Sequence, residues 1–447
     1  MLLIKARHLL CTCWAMLAIG SCIAAEPLTV LRVQGSNTIG SRLLPALVQG
    51  VFEAQGLGDV QRQAFGENEW VVTAALPSGE RVQAWLGAHG TATGFTALAA
   101  GLADLAAASR PINERERASV YAPADAVPQD AEQVIGIDGV AVIVNRANPL
   151  RSLEAEQLAA IFAGTITRWE ELGIGLGTIH LYARDNRSGT WETFRDLVLA
   201  PRTLTLSGSV RRLESSEALS SAVSSDPQAI GFIGLPYIRQ SRALAIGEAE
   251  ARALSPTTDN VATEDYLLSR RLYLYSARGA INPWAAALLE FSQSAAGQRL
   301  VASEGFVAQQ VHSVPVQPSA GMPKAYLDLA RDSRRLTLNF RFTGASASLD
   351  SKALADVDRL ADYLRSRPAE RERLVLVGFG DAKSEPGRAL LLSRLRAMTV
   401  RRELAKRGVV PSAVLGLGAQ LPVASNTTEG GRLRNCRVEV WVQPGVR

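Results

Sequence analysis

Three short segments of the chain place glycine and hydroxyl side chains where a β-rich run gives way to a helical pattern. They are Gly35-Ser36-Asn37-Thr38-Ile39-Gly40, Gly90-Thr91-Ala92-Thr93-Gly94 and Arg184-Asp185-Asn186-Arg187-Ser188-Gly189-Thr190. A tetrahedral oxyanion needs many hydrogen-bond donors and little bulk water. The readiest donors are the unsatisfied amides of helix starts, joined by Ser and Thr hydroxyls and an arginine for charge. Capping alone explains Ser, Thr and Gly at any one helix start. Three such starts in one unit, one of them carrying an arginine, point instead to an anion trap.

A second constellation lies near the carboxy terminus. Leu392, Arg396, Val400 and Leu404 follow one another at a spacing of four, which puts a guanidinium within or beside the apolar face of a helix. Such an arginine can simply snorkel to solvent. It can also protrude beside the strand end at Gly378-Phe379-Gly380-Asp381, where an Asp and an Arg together suit a zwitterionic ligand.

Catalytic patterns are absent from the sequence. Beyond residue 25 its histidines are His89, His180 and His312, with no HExxH, no Cys/His cluster and no Gly-x-Ser-x-Gly elbow. Ser188 has no identifiable base. The expectation is a non-enzymatic protein with no cofactor and no metal.

The elements that must hold these residues read as follows. Residues 28–314 alternate short strands with amphipathic helices, an α/β pattern with mostly parallel pairing. Residues 28–34, 135–144, 179–183 and 229–234 are strand-like; helices are expected over 41–55, 95–107, 153–163 and from Trp191. Residues 315–334 begin with a proline-rich stretch and read as a semi-rigid linker. A second unit follows over 335–445, with strands near 336–342, 374–379 and 438–442 and helices from about 350 and over 386–407. This β-α-β-α-β order makes a small α+β sandwich.

Hydrophobic residues make up 47% and charged residues 20% of the 447, which describes a globular chain of two or three units. Residues 1–25 have a cationic start, an apolar run and small residues before Ala25, as an export signal does. Without Lys5 and Arg7 there are 46 basic against 43 acidic residues, so nucleic acid is not an expected partner. Cleavage after Ala25 competes with a lipoprotein reading, in which Ile19-Gly20-Ser21-Cys22 is a loose lipobox and Cys22 is acylated. Cys436 is then the one thiol left in the mature chain, so stability must come from packed cores.

With these residues in view, positions 28–314 resemble the phosphate-binding proteins of ABC importers, a two-lobed type II periplasmic binding-protein family. The likeness extends to Ala103-Asp104-Leu-Ala-Ala-Ala-Ser109-Arg110-Pro111, to Ile137-Asp-Gly-Val-Ala-Val-Ile-Val-Asn145 and to residues 158–169. The resemblance implies one lobe at about 28–135 and 241–314 and the other at 136–240. It implies phosphate or a similar oxyanion held between them by Thr38, the Ile39 amide, Thr91, Arg184, Ser188, Gly189 and Thr190, and an ABC permease as a further partner. The better-known members carry an Asp just after the Ser of the second strand's end, where Ser109-Arg110 stands here. That Asp accepts the proton of monobasic phosphate, so discrimination must arise elsewhere, or Arg110 is structural and pairs with an acid.

Residues 335–444 resemble the OmpA-type peptidoglycan-associated domain. The likeness rests on Asn339-Phe340, Leu392-Ser393-Arg394-Leu395-Arg396-Ala397, residues 421–426 and Gly431-Arg432-Leu-Arg-Asn435-Cys-Arg437-Val-Glu439. In that family an Asp in a Gly-His-Thr-Asp motif and an Arg fifteen residues later grip the diaminopimelate of the wall peptide. Asp381 and Arg396 have that identity and spacing. Phe379 replaces the His, Gly380 the Thr and Ala389 the usual Asn, which removes polar support. Together the resemblances imply a peptidoglycan-associated protein in the periplasm of a Gram-negative bacterium, an outer-membrane lipoprotein if Cys22 is acylated. Two roles follow: phosphate capture at the wall, or a wall-bound structural or adhesion protein with a vestigial or repurposed cleft.

Overall fold

The computed structural model describes residues 26–122, 127–128, 130–186, 188–279, 281–343, 346–368, 373–382 and 385–443. The expected export signal, with Cys22, lies outside them. Among the described residues no helix is long and apolar enough to cross a membrane.

One mixed sheet of eleven strands joins two lobes. Across it run Gly58–Gly66, Glu69–Ala75, Arg81–Gly87, Leu28–Gly35, Leu105–Ala108, Ser269–Ser276, Glu132–Val144, Ala229–Gly234, His180–Arg184 and Arg211–Leu213, with Arg242–Ala243 beside Glu132–Val144. Leu28–Gly35 lies parallel between Arg81–Gly87 and Leu105–Ala108. The last of these is four buried apolar residues, as a strand covered on both faces should be. It takes the end of the segment read as one helix over 95–107; the helix itself is Thr91–Ala99. Pairing is less parallel than the pattern suggested, because Ser269–Ser276 and Ala229–Gly234 both run antiparallel to Glu132–Val144.

Glu132–Val144 carries the chain from one lobe to the other. Its first half, to Gly139, pairs with Ser269–Ser276, and its second half, from Val140, pairs with Ala229–Gly234. Asp138 stands at the changeover. The first lobe packs Leu31, Val33, Leu47, Phe52, Leu272 and Leu288. The second packs Val142, Phe162, Trp169, Phe194 and Phe232, with Phe194 stacked on Phe232 at 3.9 Å between ring centroids. Leu244, Ile246, Val261 and Tyr266 belong to this second core. The chain therefore returns to the first lobe at Ser269–Ser276, not near residue 241, because apolar side chains between those positions are buried in lobe two.

The third unit is a five-stranded sheet in the order Ser313–Val314, Arg334–Phe340, Val438–Val442, Leu374–Gly378, Ala413–Gly416. Ser351–Arg365 and Pro386–Ala405 cover one face, burying Leu336, Val357, Leu360, Leu376, Val400 and Val440. The other face is covered by Lys324–Asp332, whose Tyr326, Leu329 and Ala330 pack with Phe379 and Trp441. The supposed linker over 315–334 thus contributes a helix to this core, driven by its own apolar face.

This unit sits across both lobes. To the first it is tied by Ser351 Oγ donating to Glu132 Oε1 and by Arg359 donating to Gln293 Oε1, both at 2.5 Å. To the second it is tied through Glu264 and Asp265. Arg335 donates to Asp265 at 2.7 Å, Asn339 Nδ2 to Asp265 at 2.9 Å, and Arg341 to the Thr263 and Glu264 carbonyls at 3.1 Å. Arg271, on Ser269–Ser276 of the first lobe, bridges Glu264 at 2.9 Å and Asp350 at 2.8 Å.

Candidate functional site

The first two glycine-bearing loops are built against each other. Gly35 has φ +143°, and a Cβ there would fall on the Ala107 carbonyl, so only glycine lets the strand end turn beside Leu105–Ala108. The Gly90 amide donates to the Gly35 carbonyl at 2.8 Å, which brings the start of Thr91–Ala99 to the short helix Asn37–Gly40. The third loop comes from lobe two, where His180–Arg184 ends and the helix Gly189–Phe194 begins.

Where the first and third loops meet is a cavity of about 320 Å³ whose lining includes Thr38, Asp138, Arg184, Ser188, Gly189 and Thr190. Five of the seven expected anion residues therefore share one cavity. Ile39 is fully buried, in keeping with a role for its amide alone. Thr91 stands behind the cavity wall: its Oγ1 accepts from the Ser109 amide at 3.2 Å and lies 3.4 Å from Ser109 Oγ.

Arg184 is incompletely hydrogen-bonded. One Nη donates to Ser216 Oγ, the other lies 3.6 Å from Asp185, and the buried Nε has no hydrogen-bond partner among the described residues. Burial pushes its guanidinium below the ordinary value, against the weaker pull of Asp185. Of the other acids that line the mouth, Glu304 pairs with Arg42 at 2.9 Å and Glu217 with Arg239 at 3.1 Å, while Glu214 adds a weaker pull on Arg184. A cation desolvated this far, with a buried donor unfilled among the described residues, favours an anion in the cavity.

Arg270 escaped the sequence reading. It is buried, donates to Asp138 Oδ2 through Nε at 3.0 Å and Nη2 at 2.6 Å, and reaches Thr38 Oγ1 at 3.0 Å. Its Nη1 donates to the Gly189 carbonyl and to Thr193 Oγ1. One side chain thus holds lobe one, lobe two and the crossing strand together. Two adjacent arginines in an apolar strand were the available signal, since neighbours on a strand face opposite sides. Arg270 turns to the cleft and Arg271 to the third unit. Gly189 closes the junction: a Cβ on it would land on Thr38 Oγ1.

Arg110 is the structural alternative. Its two Nη atoms grip Glu116 at 2.8 and 2.7 Å, and Glu116 itself completes the capping box of the helix Glu114–Tyr121 with Asn113. Asp138 remains as a carboxylate lining the cavity at the junction.

In the third unit, Asp381 follows Leu374–Gly378 and Arg396 faces inward from Pro386–Ala405. Arg396 is buried, with its guanidinium 5.7 Å from the Phe342 ring centroid and Nε donating to the Ser346 carbonyl at 3.4 Å. Asp381 Oδ2 accepts from Cys436 Sγ at 3.4 Å. Burial raises the Cys436 thiol to about 11, with Arg396 lowering it and Asp381 raising it, so both charges act on one buried thiol. Phe379 is in the core, 3.9 Å beneath the Arg437 guanidinium and edge-on to Tyr326. Ala389 is buried as well. These substitutions exchange polar support for packing.

The chain belongs to the PBP superfamily, whose domain matches residues 24–296, and it carries an OmpA family domain over residues 341–436. It is a two-lobed, phosphate-binding-protein-like unit followed by an OmpA-type unit. Protein SphX of Synechococcus elongatus is 27% identical over 253 residues, 54% of this chain and 74% of that protein. The phosphate-binding protein PstS of Staphylococcus aureus is 26% identical over 258 residues, 54% and 76% of the two chains. Among solved structures, an ABC-type phosphate transport receptor from Vibrio cholerae matches with TM-score 0.48 and 22% identity, over 62% of this chain and 99% of that one. The peptidoglycan-associated lipoprotein of Burkholderia pseudomallei matches with TM-score 0.22 and 26% identity, over 26% and 93%.

Proposed function

We propose that this is a non-enzymatic envelope protein that captures phosphate or a similar oxyanion between its lobes and is held to peptidoglycan by its carboxy-terminal domain. The observation that carries the first half is Arg184, desolvated beside Ser188, Gly189 and Thr190 with a buried Nε that no described residue accepts from. Thr38 and the Ile39 amide complete the donor set from lobe one, with Thr91 acting through Ser109. Relatives named as phosphate-binding proteins support the choice of anion.

The second half rests on Asp381 and Arg396, whose charges act on the same buried thiol and which suit the ammonium and carboxylate of a wall peptide. A unit that touches both lobes favours retention at the wall, as in sensing or storage, over shuttling to an ABC permease. Arg184→Ala should weaken phosphate binding at least about thirtyfold, the loss of a buried charge-assisted contact; unchanged calorimetric affinity would reject this cleft. Asp381→Ala and Arg396→Ala should each release the protein from purified sacculi, and co-sedimentation of both variants would reject the wall site.

A further inference from the structure

A helix packed on a sheet should turn apolar residues to the core and polar ones to water. Pro386–Ala405 departs from that pattern. Ala389, Ser393, Arg396, Ala397, Val400 and Leu404 face inward. Leu390, Leu391, Leu395 and Met398 are 51%, 58%, 48% and 41% exposed, four of the ten large apolar side chains left open to solvent among the described residues. Such a concentration on one helix is not the scattered exposure that needs no explanation.

Leu391, Leu395 and Met398 stand at i, i+4 and i+7 and form one outward row about 10 Å long. Arg388, Arg394, Arg401 and Arg402 are exposed on or beside it. Arg402 has Glu403 at 3.7 Å, but Glu403 turns away to Lys406 at 2.8 Å. Arg388, Arg394 and Arg401 have no carboxylate partner among the described residues. The outward face is thus an apolar row edged by four cations.

We propose that this face docks on an anionic lipid bilayer. Arginines beside leucines and a methionine are the chemistry of helices that lie in the headgroup layer, where the apolar row enters the acyl boundary and the cations meet lipid phosphates. A second copy of the chain is disfavoured, because pairing this face with itself brings like charges together. A folded protein partner must match the row with a shaped recess, whereas a fluid surface takes up the shape of a convex helix. Arg396 points to the opposite side of the same helix and Asp381 precedes it, so lipid contact leaves the wall-peptide residues uncovered.

The test is vesicle flotation of residues 26–447 with phosphatidylcholine alone and with phosphatidylcholine containing phosphatidylglycerol. The protein is expected to float with the anionic vesicles only, and less at high salt. Combining Leu391→Ser, Leu395→Ser and Met398→Ser should lower the bound fraction about tenfold or more, and Arg388→Gln, Arg394→Gln, Arg401→Gln and Arg402→Gln together should abolish the preference for anionic lipid. All seven side chains are exposed, so circular dichroism and sacculus binding should be unchanged; if the serine variant misfolds, the glutamine variant decides. No flotation with anionic vesicles, equal flotation with neutral ones, or binding that both variants retain overturns the proposal. A wild-type dimer made monomeric by the serine variant also overturns it, by assigning the face to a second copy.

Discussion

Glu264→Gln isolates the electrostatics that join the OmpA-type unit to the second lobe. Glu264 is mostly buried, with Arg271 at 2.9 Å, Lys352 at 3.8 Å and Arg341 at 3.9 Å. Burial alone would raise its carboxyl. The charges of Arg271, Lys352 and Arg341 outweigh that and bring it from 4.5 to about 2. A depression of that size corresponds to roughly 3 kcal/mol of stability while the group is ionised, similar to the cost of removing one partner from a buried ion pair. A depressed carboxylate contributes fully above its unfolded value and loses the contribution as pH falls through its folded value. The stabilisation is therefore complete at pH 7 and disappears between about pH 4.5 and about 2.

Urea unfolding of the wild-type protein and Glu264→Gln, followed by circular dichroism and tryptophan fluorescence at several pH values, reads this out. At pH 7 the variant should be about 3 kcal/mol less stable, and the difference should shrink steadily toward pH 2. A loss under about 1 kcal/mol at pH 7, or a difference that stays constant on acidification, refutes the reasoning.

Two further outcomes follow from the cleft. Asp138→Asn removes an acceptor-only carboxylate at the junction and should narrow the preference for phosphate over sulfate about tenfold in competition calorimetry; an unchanged ratio means discrimination lies elsewhere. Gly189→Ala places a methyl on Thr38 Oγ1 and should hold the lobes apart. A larger radius of gyration by small-angle scattering and phosphate binding weaker by about tenfold or more are expected, and an unaltered scattering profile counts against the closure contact.

Much of this arrangement was legible in the residues. Strand-to-helix turns rich in glycine and hydroxyls are local signals, and Thr38, Arg184, Ser188, Gly189 and Thr190 do converge. The Asp381–Arg396 spacing was equally local, and both charges act on the same thiol. What escaped depends on contacts far apart in the chain. Arg270 pairs with Asp138 across 132 positions, and no periodicity announces such a bond. Thr91 has the expected type but serves the Ser109 amide, which only the packing of two loops decides. Residues between 241 and 268 follow the α/β pattern equally well in either lobe, so their place in the second core was invisible. The proline-rich start of 315–334 masked the amphipathic helix Lys324–Asp332 behind it.

Phosphate capture is tested most directly by isothermal calorimetry on residues 26–447, titrated with phosphate and with sulfate as competitor. Tight, selective binding at one site per chain is expected, lost in Arg184→Ala. No heat with either anion would contradict capture and leave a wall-bound protein whose cleft serves another ligand.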